Sequence, residues 1–210
     1  NPNSFDPKLV PEHSRDANLL VSRTFGPVQL TGSIFYQRVR NTIFQFFGFN
    51  QNGISTSTYK NIDLTRQWGL EGIAETRHWP LPGMSIGSNI AYIDSKTVRN
   101  ASNPLADGVQ FPRIPKWRIN ATVRYDFSDK LQGTVGMRYA SRPNTDLFGL
   151  QRGDTFGFTS ELFALDARFK WQLTEQLGLS AGVDNITNDR AWVYHPYPQR
   201  TFLLEAAWRL

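Results

Sequence analysis

The sequence predicts an all-β chain laid out as a transmembrane antiparallel β-barrel, and three observations carry that expectation. First, apolar and polar side chains alternate in steps of two along most of the 210 residues, the pattern of strands whose two faces meet different surroundings. Second, the apolar members are unusually large and the polar members densely charged. Trp117, Ile119, Ala121, Val123, Tyr125 and Phe127 alternate with Lys116, Arg118, Asn120, Thr122, Arg124 and Asp126. Phe163, Leu165, Ala167, Phe169, Trp171 and Leu173 alternate with Ala164, Asp166, Arg168, Lys170 and Gln172. Lipid on one face and a hydrated lumen on the other account for both extremes. Third, Phe202, Leu204, Ala206, Trp208 and Leu210 fall on one face of a last strand, and Leu203, Glu205, Ala207 and Arg209 on the other.

Composition narrows the class. The apolar fraction is 40% and the mean hydropathy −0.43. No stretch approaches the roughly 20 apolar residues of a membrane-spanning helix. A barrel hides its apolar content on every second residue, so helical membrane proteins are excluded and barrels are not. Cysteine is absent, which removes disulfides, thiolate metal sites and cysteine nucleophiles. The net charge is +5, from 23 basic and 18 acidic residues. No basic run would follow a phosphate backbone, so nucleic acid is not an expected partner; the charges read as water-facing strand positions.

Nine strands are expected, at about 17–25, 28–46, 58–79, 84–99, 115–127, 131–145, 162–173, 177–188 and 201–210. In chain order, Gly26-Pro27 turns the first strand into the second, and the link 47–57 leads to the third. Pro80-Leu81-Pro82-Gly83 turns into the fourth, and the link 100–114 leads to the fifth. Ser128-Asp129-Lys130 turns into the sixth, the link 146–161 leads to the seventh, Thr174-Glu175-Gln176 turns into the eighth, and the link 189–200 leads to the last. These turn residues suit tight reversals because Gly, Pro, Asp and Ser supply the required backbone angles or local hydrogen bonds. Short turns alternating with long links match periplasmic turns and extracellular loops. Several strands exceed the 9–11 residues needed to span, which favours a large transporter over a small barrel. An odd strand count and the lack of an export signal lead to the expectation that the sequence begins part-way through a longer chain, with 1–16 in an extracellular loop. Trp79, Trp171 and Trp208 fall near expected periplasmic ends and Trp117 and Trp192 near extracellular ends, as interfacial girdles require; Trp68 lies mid-strand.

Local patterns then converge on a family. Asn1-Pro2-Asn3 followed by Pro11-Glu12, Tyr59-Lys60-Asn61-Ile62-Asp63 with Gly69-Leu70-Glu71-Gly72, Phe111-Pro112-Arg113-Ile114-Pro115, Val183-Asp184-Asn185-Ile186-Thr187-Asn188, and Tyr197-Pro198-Gln199-Arg200-Thr201-Phe202 stand in this order at strand spacing. Each is common alone; together they resemble the C-terminal part of a TonB-dependent outer-membrane receptor. Leu210 departs from the terminal Phe usual in that family, and Ala17-Asn18 stands where Glu-x-Gly is common. The resemblance implies about nine strands of a 22-stranded plugged barrel, in the bacterial outer membrane. The plug, the TonB-binding segment and the signal peptide would lie outside residues 1–210. It implies uptake of a scarce nutrient, foremost a ferric siderophore, with energy from the TonB complex. Haem, cobalamin or another metal chelate, a passive channel, and a barrel serving as adhesin or phage receptor are the alternatives. Partners implied are the TonB complex, outer-membrane lipid, the barrel assembly machinery and a small-molecule metal chelate.

Candidate site residues follow. Tyr194, His195 and Tyr197 form an aromatic tip in the last link, suited either to ligand contact or to bracing at the interface. Phe44, Phe46, Phe47 and Phe49 precede Asn50-Gln51-Asn52-Gly53, and are expected to continue the outer aromatic girdle or, with Phe47 and Phe49 foremost, to contact an apolar ligand. Asn61, Asp63, Glu71, Arg124 and Arg168 are expected on the lumen wall, meeting water or a plug. Arg200 is expected to pair with wall carboxylates, and Asp184 and Asn185 to close a strand through Asx hydrogen bonds. Phe202, Trp208 and Leu210 are the expected assembly signal. His13, His78 and His195 are the only histidines, and His78 falls at the opposite membrane end from the others. A shared metal site or a histidine-based triad, with Ser180, Asp184 or Asn185, is therefore not expected, nor is a cofactor.

Overall fold

A computed structural model describes residues 3–5, 8–49 and 52–209. Hairpin turns set its register. Gly26 takes φ +56 and Pro27 follows with its ring-locked negative φ, the sequence of angles a type II′ turn requires and that matches strand twist. The turn residues are flanked by Phe25 paired with Val28, and the pairing then runs without a break to His13 and Arg40.

The strands are β1 Asn3–Phe5, β2 His13–Phe25, β3 Val28–Phe49, β4 Ser55–Thr76, β5 Met84–Arg99, β6 Trp117–Ser128, β7 Leu131–Ala140, β8 Leu162–Gln172, β9 Leu177–Asp184, β10 Trp192–Val193, β11 His195–Pro196 and β12 Thr201–Trp208. The sheet order is β2-β3-β4-β5-β6-β7-β8-β9-β12, antiparallel throughout. The nine expected strands are all present in the expected order. β2 and β12 form the two sheet edges, so the sheet is open, a partial barrel. Among the described residues the one helical element is a single 3-10 turn, Pro104–Ala106, and no helix is long and apolar enough to cross a membrane.

The boundaries moved where pairing, which alternation cannot reveal, decides them. β2 starts at His13, so residues 13–16 belong to a strand and not to the expected loop. β3 and β4 extend each other to Phe49 and Ser55, which shrinks the expected 47–57 link to 50–54. β7 stops at Ala140, where the chain beyond turns to the link 100–116, and β9 at Asp184, where Asn185 takes left-handed backbone. β1 pairs parallel with β4 through Ser57, Thr58 and Tyr59, a contact the sequence does not announce.

Register confirms the two faces. Ile86, Val123, Val135, Ala167, Val183 and Phe202 form one row across six strands. Ser85, Arg124, Thr134 and Arg168 form a neighbouring row on the other face. Gly69 has a packing role there: a Cβ would lie 2.5 Å from the Phe35 ring and 2.5 Å from the Tyr92 carbonyl. The buried apolar cluster sits at the long-link end, where Ile62, Ala106 and Leu147 are enclosed by Phe44, Phe46, Phe111 and Phe148. Phe44 and Phe46 thus depart from the expected outer girdle: edge-to-face contacts at 5.5 Å with each other and 5.6 Å from Phe44 to Phe111 turn them toward the links.

Candidate functional site

Links that leave the main sheet must satisfy their backbone groups by other means, and three of them do so jointly. In the link 141–161, Arg142 donates to the carbonyls of Gly153 at 3.2 Å and Thr159 at 3.0 Å and pairs with Asp154 at 2.8 Å. The Arg142 guanidinium holds the Asp154 carboxyl below the ordinary carboxylate range. Asp146 accepts from the amides of Phe148 at 2.7 Å and Gln151 at 2.9 Å. The link 100–116 joins through Arg113 N–H to Asn144 O at 2.8 Å and Asn144 Nδ2 to Gln110 O at 3.0 Å. The link 185–200 joins through Gly157 N–H to Tyr194 O at 2.8 Å, Tyr194 N–H to Phe158 O at 2.9 Å and Ser160 N–H to Trp192 O at 2.8 Å.

Asn185 anchors the last link. It is 1% exposed, with φ +52, a left-handed conformation Asn tolerates well. Its Nδ2 donates to Asp189 O at 3.0 Å and Pro198 O at 3.1 Å, while its Oδ1 accepts from Thr187 Oγ1 at 2.9 Å and Asp189 N–H at 3.0 Å. The expected Asx closure is present at Asn185, whereas the Asp184 carboxylate pairs across the sheet with Arg168 instead of with nearby backbone.

At the meeting point of the three links, the Arg113 guanidinium carbon stands 4.5 Å from the Tyr194 ring centroid. Phe156 and His195 meet edge to face at 5.3 Å, and Tyr194 and His195 lie 6.3 Å apart. Phe156 is 60% exposed. The cap therefore offers ring faces, an imidazole and a guanidinium to an incoming molecule. Below it, Arg138 forks onto Asp166 at 2.9 and 2.8 Å and donates a further hydrogen bond to the Tyr197 hydroxyl. Asp166 also accepts from Asn185 N–H at 2.8 Å, so the wall and the last link share one carboxylate.

A long antiparallel sheet with one apolar face, ordered links at one end and tight turns at the other is the wall of a barrel. The family model described as TonB dependent receptor-like, beta-barrel matches residues 1–186. The chain belongs to that family. Its members are β-barrel receptors of the outer membrane. Solved structures with the same fold include the copper transporter OprC, with TM-score 0.75 and 17% identity over 96% of this chain and 32% of that one. The siderophore receptor PiuA from Acinetobacter baumannii gives TM-score 0.71 and 16% identity over 94% of this chain and 28% of that one. The ferric yersiniabactin uptake receptor FyuA from Yersinia pestis gives TM-score 0.68 and 20% identity over 92% and 28%. This chain thus spans about a third of the length of the receptors it matches. No curated protein matches the sequence.

Within this receptor wall, Tyr194 and His195 stand together at the cap, whereas Tyr197 lies lower, on Arg138. Phe47 is 62% exposed on the β3–β4 extension, and its cross-strand partner is Ser57. Phe49 pairs with Ser55 through its backbone, and its side chain lies outside the described residues. Glu71, Arg124 and Arg168 share the polar face: Glu71 accepts from Ser33 Oγ at 3.1 Å, Arg124 lies 3.5 Å from Asp126, and Arg168 reaches both Asp184 oxygens at 3.0 and 3.1 Å. Asn61 holds the chain segment before β2, exchanging 2.9 Å hydrogen bonds with Val10 N–H and O and donating to Asn41 O at 2.7 Å. Asp63 accepts from Ala101 N–H at 2.6 Å. Arg200 departs from expectation: it donates to the Ile186 carbonyl rather than to a carboxylate, because the chain turns back over its own link. Phe202 and Trp208 are 73% and 62% exposed on the apolar face of β12; Leu210 lies outside the described residues. His78 occupies the turn between β4 and β5, at the sheet end opposite His13 and His195.

Sequence reasoning missed Arg113, Phe156 and the Arg138–Asp166 fork. Arg113 sits between Pro112 and Pro115, and that bracing was the available signal; nothing local marks Phe156 as a neighbour of His195.

Proposed function

We propose that this chain is wall, ligand-facing loops and closing strand of an outer-membrane receptor that imports a bulky metal chelate, foremost a ferric siderophore. The observation that carries this reading is the Arg113–Tyr194 stack beside Phe156 and His195, displayed at the end of a receptor-family sheet. Ring faces and a guanidinium suit a large, delocalised, anionic chelate, which they recognise by stacking and charge together. Several receptors of the same fold are described as siderophore receptors, which supports the same ligand class. Energy would come from the TonB complex acting on a plug outside residues 1–210, and insertion would use the barrel assembly machinery through β12.

The test uses the full-length receptor in an iron-starved strain lacking other siderophore receptors. Growth and binding are measured with a ferric catecholate, a ferric hydroxamate, haem, cobalamin and Cu(II). TonB-dependent uptake of a ferric siderophore, weakened in R113A/Y194A, is the expected result. Uptake that persists without TonB points to a passive channel, and binding of none of the five removes the importer reading.

A further inference from the structure

Register places four cations side by side on the apolar face. Arg15 of β2 pairs with Arg38 of β3, Arg38 with Arg66 of β4, and Arg66 with Lys96 of β5. Like charges directly opposite each other destabilise a sheet, so such a ladder needs a counter-charge. Among the described residues one carboxylate answers it. Asp94, 7% exposed, lies 3.2 Å from Arg66 and 3.4 Å from Lys96 and accepts from Trp68 Nε1 at 3.0 Å. Arg66 keeps a buried Nε without a partner, and among the described residues no carboxylate pairs with Arg15 or Arg38, both exposed. The next row toward the links adds the His13–Arg40 pair. On the polar face the contrast is plain: Arg124, Arg138 and Arg168 each have an aspartate.

The row on the other side of the cations is aromatic. Tyr36 pairs with Trp68 one strand step, about 7 Å, from Arg38 and Arg66. Trp68 packs on Tyr92 at 5.6 Å, and Tyr92 on Trp117 at 4.9 Å. Beyond them the same face is aliphatic, with Leu19, Ile34 and Leu70 in one row. Trp68, which sequence position alone left undiagnostic, is therefore part of the belt at the link end. Aromatic belts mark the depth of lipid headgroups, and the cations stand one step farther out, where headgroup phosphates lie.

We propose that the Arg15–Arg38–Arg66–Lys96 row binds the phosphate-bearing headgroup of an anionic lipid in the leaflet beside the long links. The headgroup supplies the negative charge that Asp94 provides only in part, and its acyl chains continue down the aliphatic rows below the belt. The inference rests on the membrane placement of the sheet that family membership implies, and is independent of the nutrient carried.

The test is native mass spectrometry of the full-length receptor in dodecyl maltoside, titrated with palmitoyl-oleoyl phosphatidylglycerol or the matching phosphatidylcholine. R15Q/R38Q breaks no ion pair among the described residues, and heat-modifiable migration verifies that it folds. R23Q/K130Q removes equal charge at the opposite end. R15Q/R38Q should bind phosphatidylglycerol about tenfold to thirtyfold more weakly than the parent, with R23Q/K130Q and phosphatidylcholine binding unchanged. Equal phosphatidylglycerol binding by the two variants overturns the proposal. Displacement of the lipid by equimolar inorganic phosphate also overturns it, by showing a free-anion site. Nutrient uptake is read separately: a parent receptor that binds phosphatidylglycerol but imports nothing removes the importer reading and leaves the lipid site standing.

Discussion

Arg113 and Tyr194 come from different links, both hold left-handed backbone with φ +62 and +68, and the guanidinium of one covers the ring of the other at 4.5 Å. Each such residue costs on the order of 1–3 kcal/mol. The amides of both are held, Arg113 by Asn144 O and Tyr194 by Phe158 O, so the neighbouring links over-determine the conformation. Strain maintained by surroundings in this way concentrates at ligand clamps.

If the pair contacts ligand, R113A in the full-length receptor lowers chelate affinity about tenfold, the scale of a partly desolvated cation–aromatic or charged contact. Y194F retains the ring and stays near parental affinity, while Y194A follows R113A. Titration of intrinsic fluorescence measures all three; unchanged affinity in R113A sinks the assignment.

Asn185 carries the last link. N185G keeps the left-handed backbone while removing four side-chain hydrogen bonds. The expected loss is roughly 2–4 kcal/mol of local stability. Hydrogen exchange should rise across 186–200 and stay unchanged in β6 and β7; equal protection in the variant and the parent contradicts the anchoring role.

Arg138 and Asp166 form a forked pair with side chains 32% and 21% exposed. Partial solvation discounts its strength, and a double-mutant cycle of R138A and D166N should return a coupling of about 1 kcal/mol. Urea unfolding of the full-length receptor reads it. Additive losses show that the two act independently.

Gly69 faces the Phe35 ring and the Tyr92 carbonyl, each 2.5 Å from where a Cβ would stand. The ring can swing away but the carbonyl belongs to the sheet, so G69A should cost about 1–3 kcal/mol and G69V more. A lowered temperature for the heat-modifiable shift is the readout, and parental behaviour of G69V removes the packing argument.

The lowered pKa of Asp154 gives the link 141–161 a pH dependence. A depressed folded-state pKa means the stabilisation is fully present above the unfolded carboxylate value, about 4, and is lost as pH falls through the lower folded value. A spin label at Q151C in this cysteine-free chain should stay ordered at pH 5 and gain mobility only in stronger acid. D154N should be mobile at both, and an identical pH response in D154N would exclude the clamp.

Much of the wall is legible in the sequence. Alternation in 115–127 and 162–173 marked β6 and β8 and assigned Trp117 and Phe169 to the apolar face. Gly26-Pro27 marked its hairpin because the turn angles belong to those residues themselves. The candidate site was legible only in pieces. Tyr194 and His195 stood out as an aromatic tip, but Arg113 and Phe156, which touch them, lie in other links. The same limit hid the basic row, since Arg15, Arg38, Arg66 and Lys96 are ordinary single charges until three registers align them.

By itself, then, the sequence determined the strands, their order, their two faces and the family, because a strand's side-chain period and a turn's dihedral preferences are local properties of neighbouring residues. Which strand ends extend, how three links close over one another, and which charges come to stand together were decided only by the tertiary structure. Those outcomes depend on backbone groups finding partners far along the chain, and no local pattern encodes the partner.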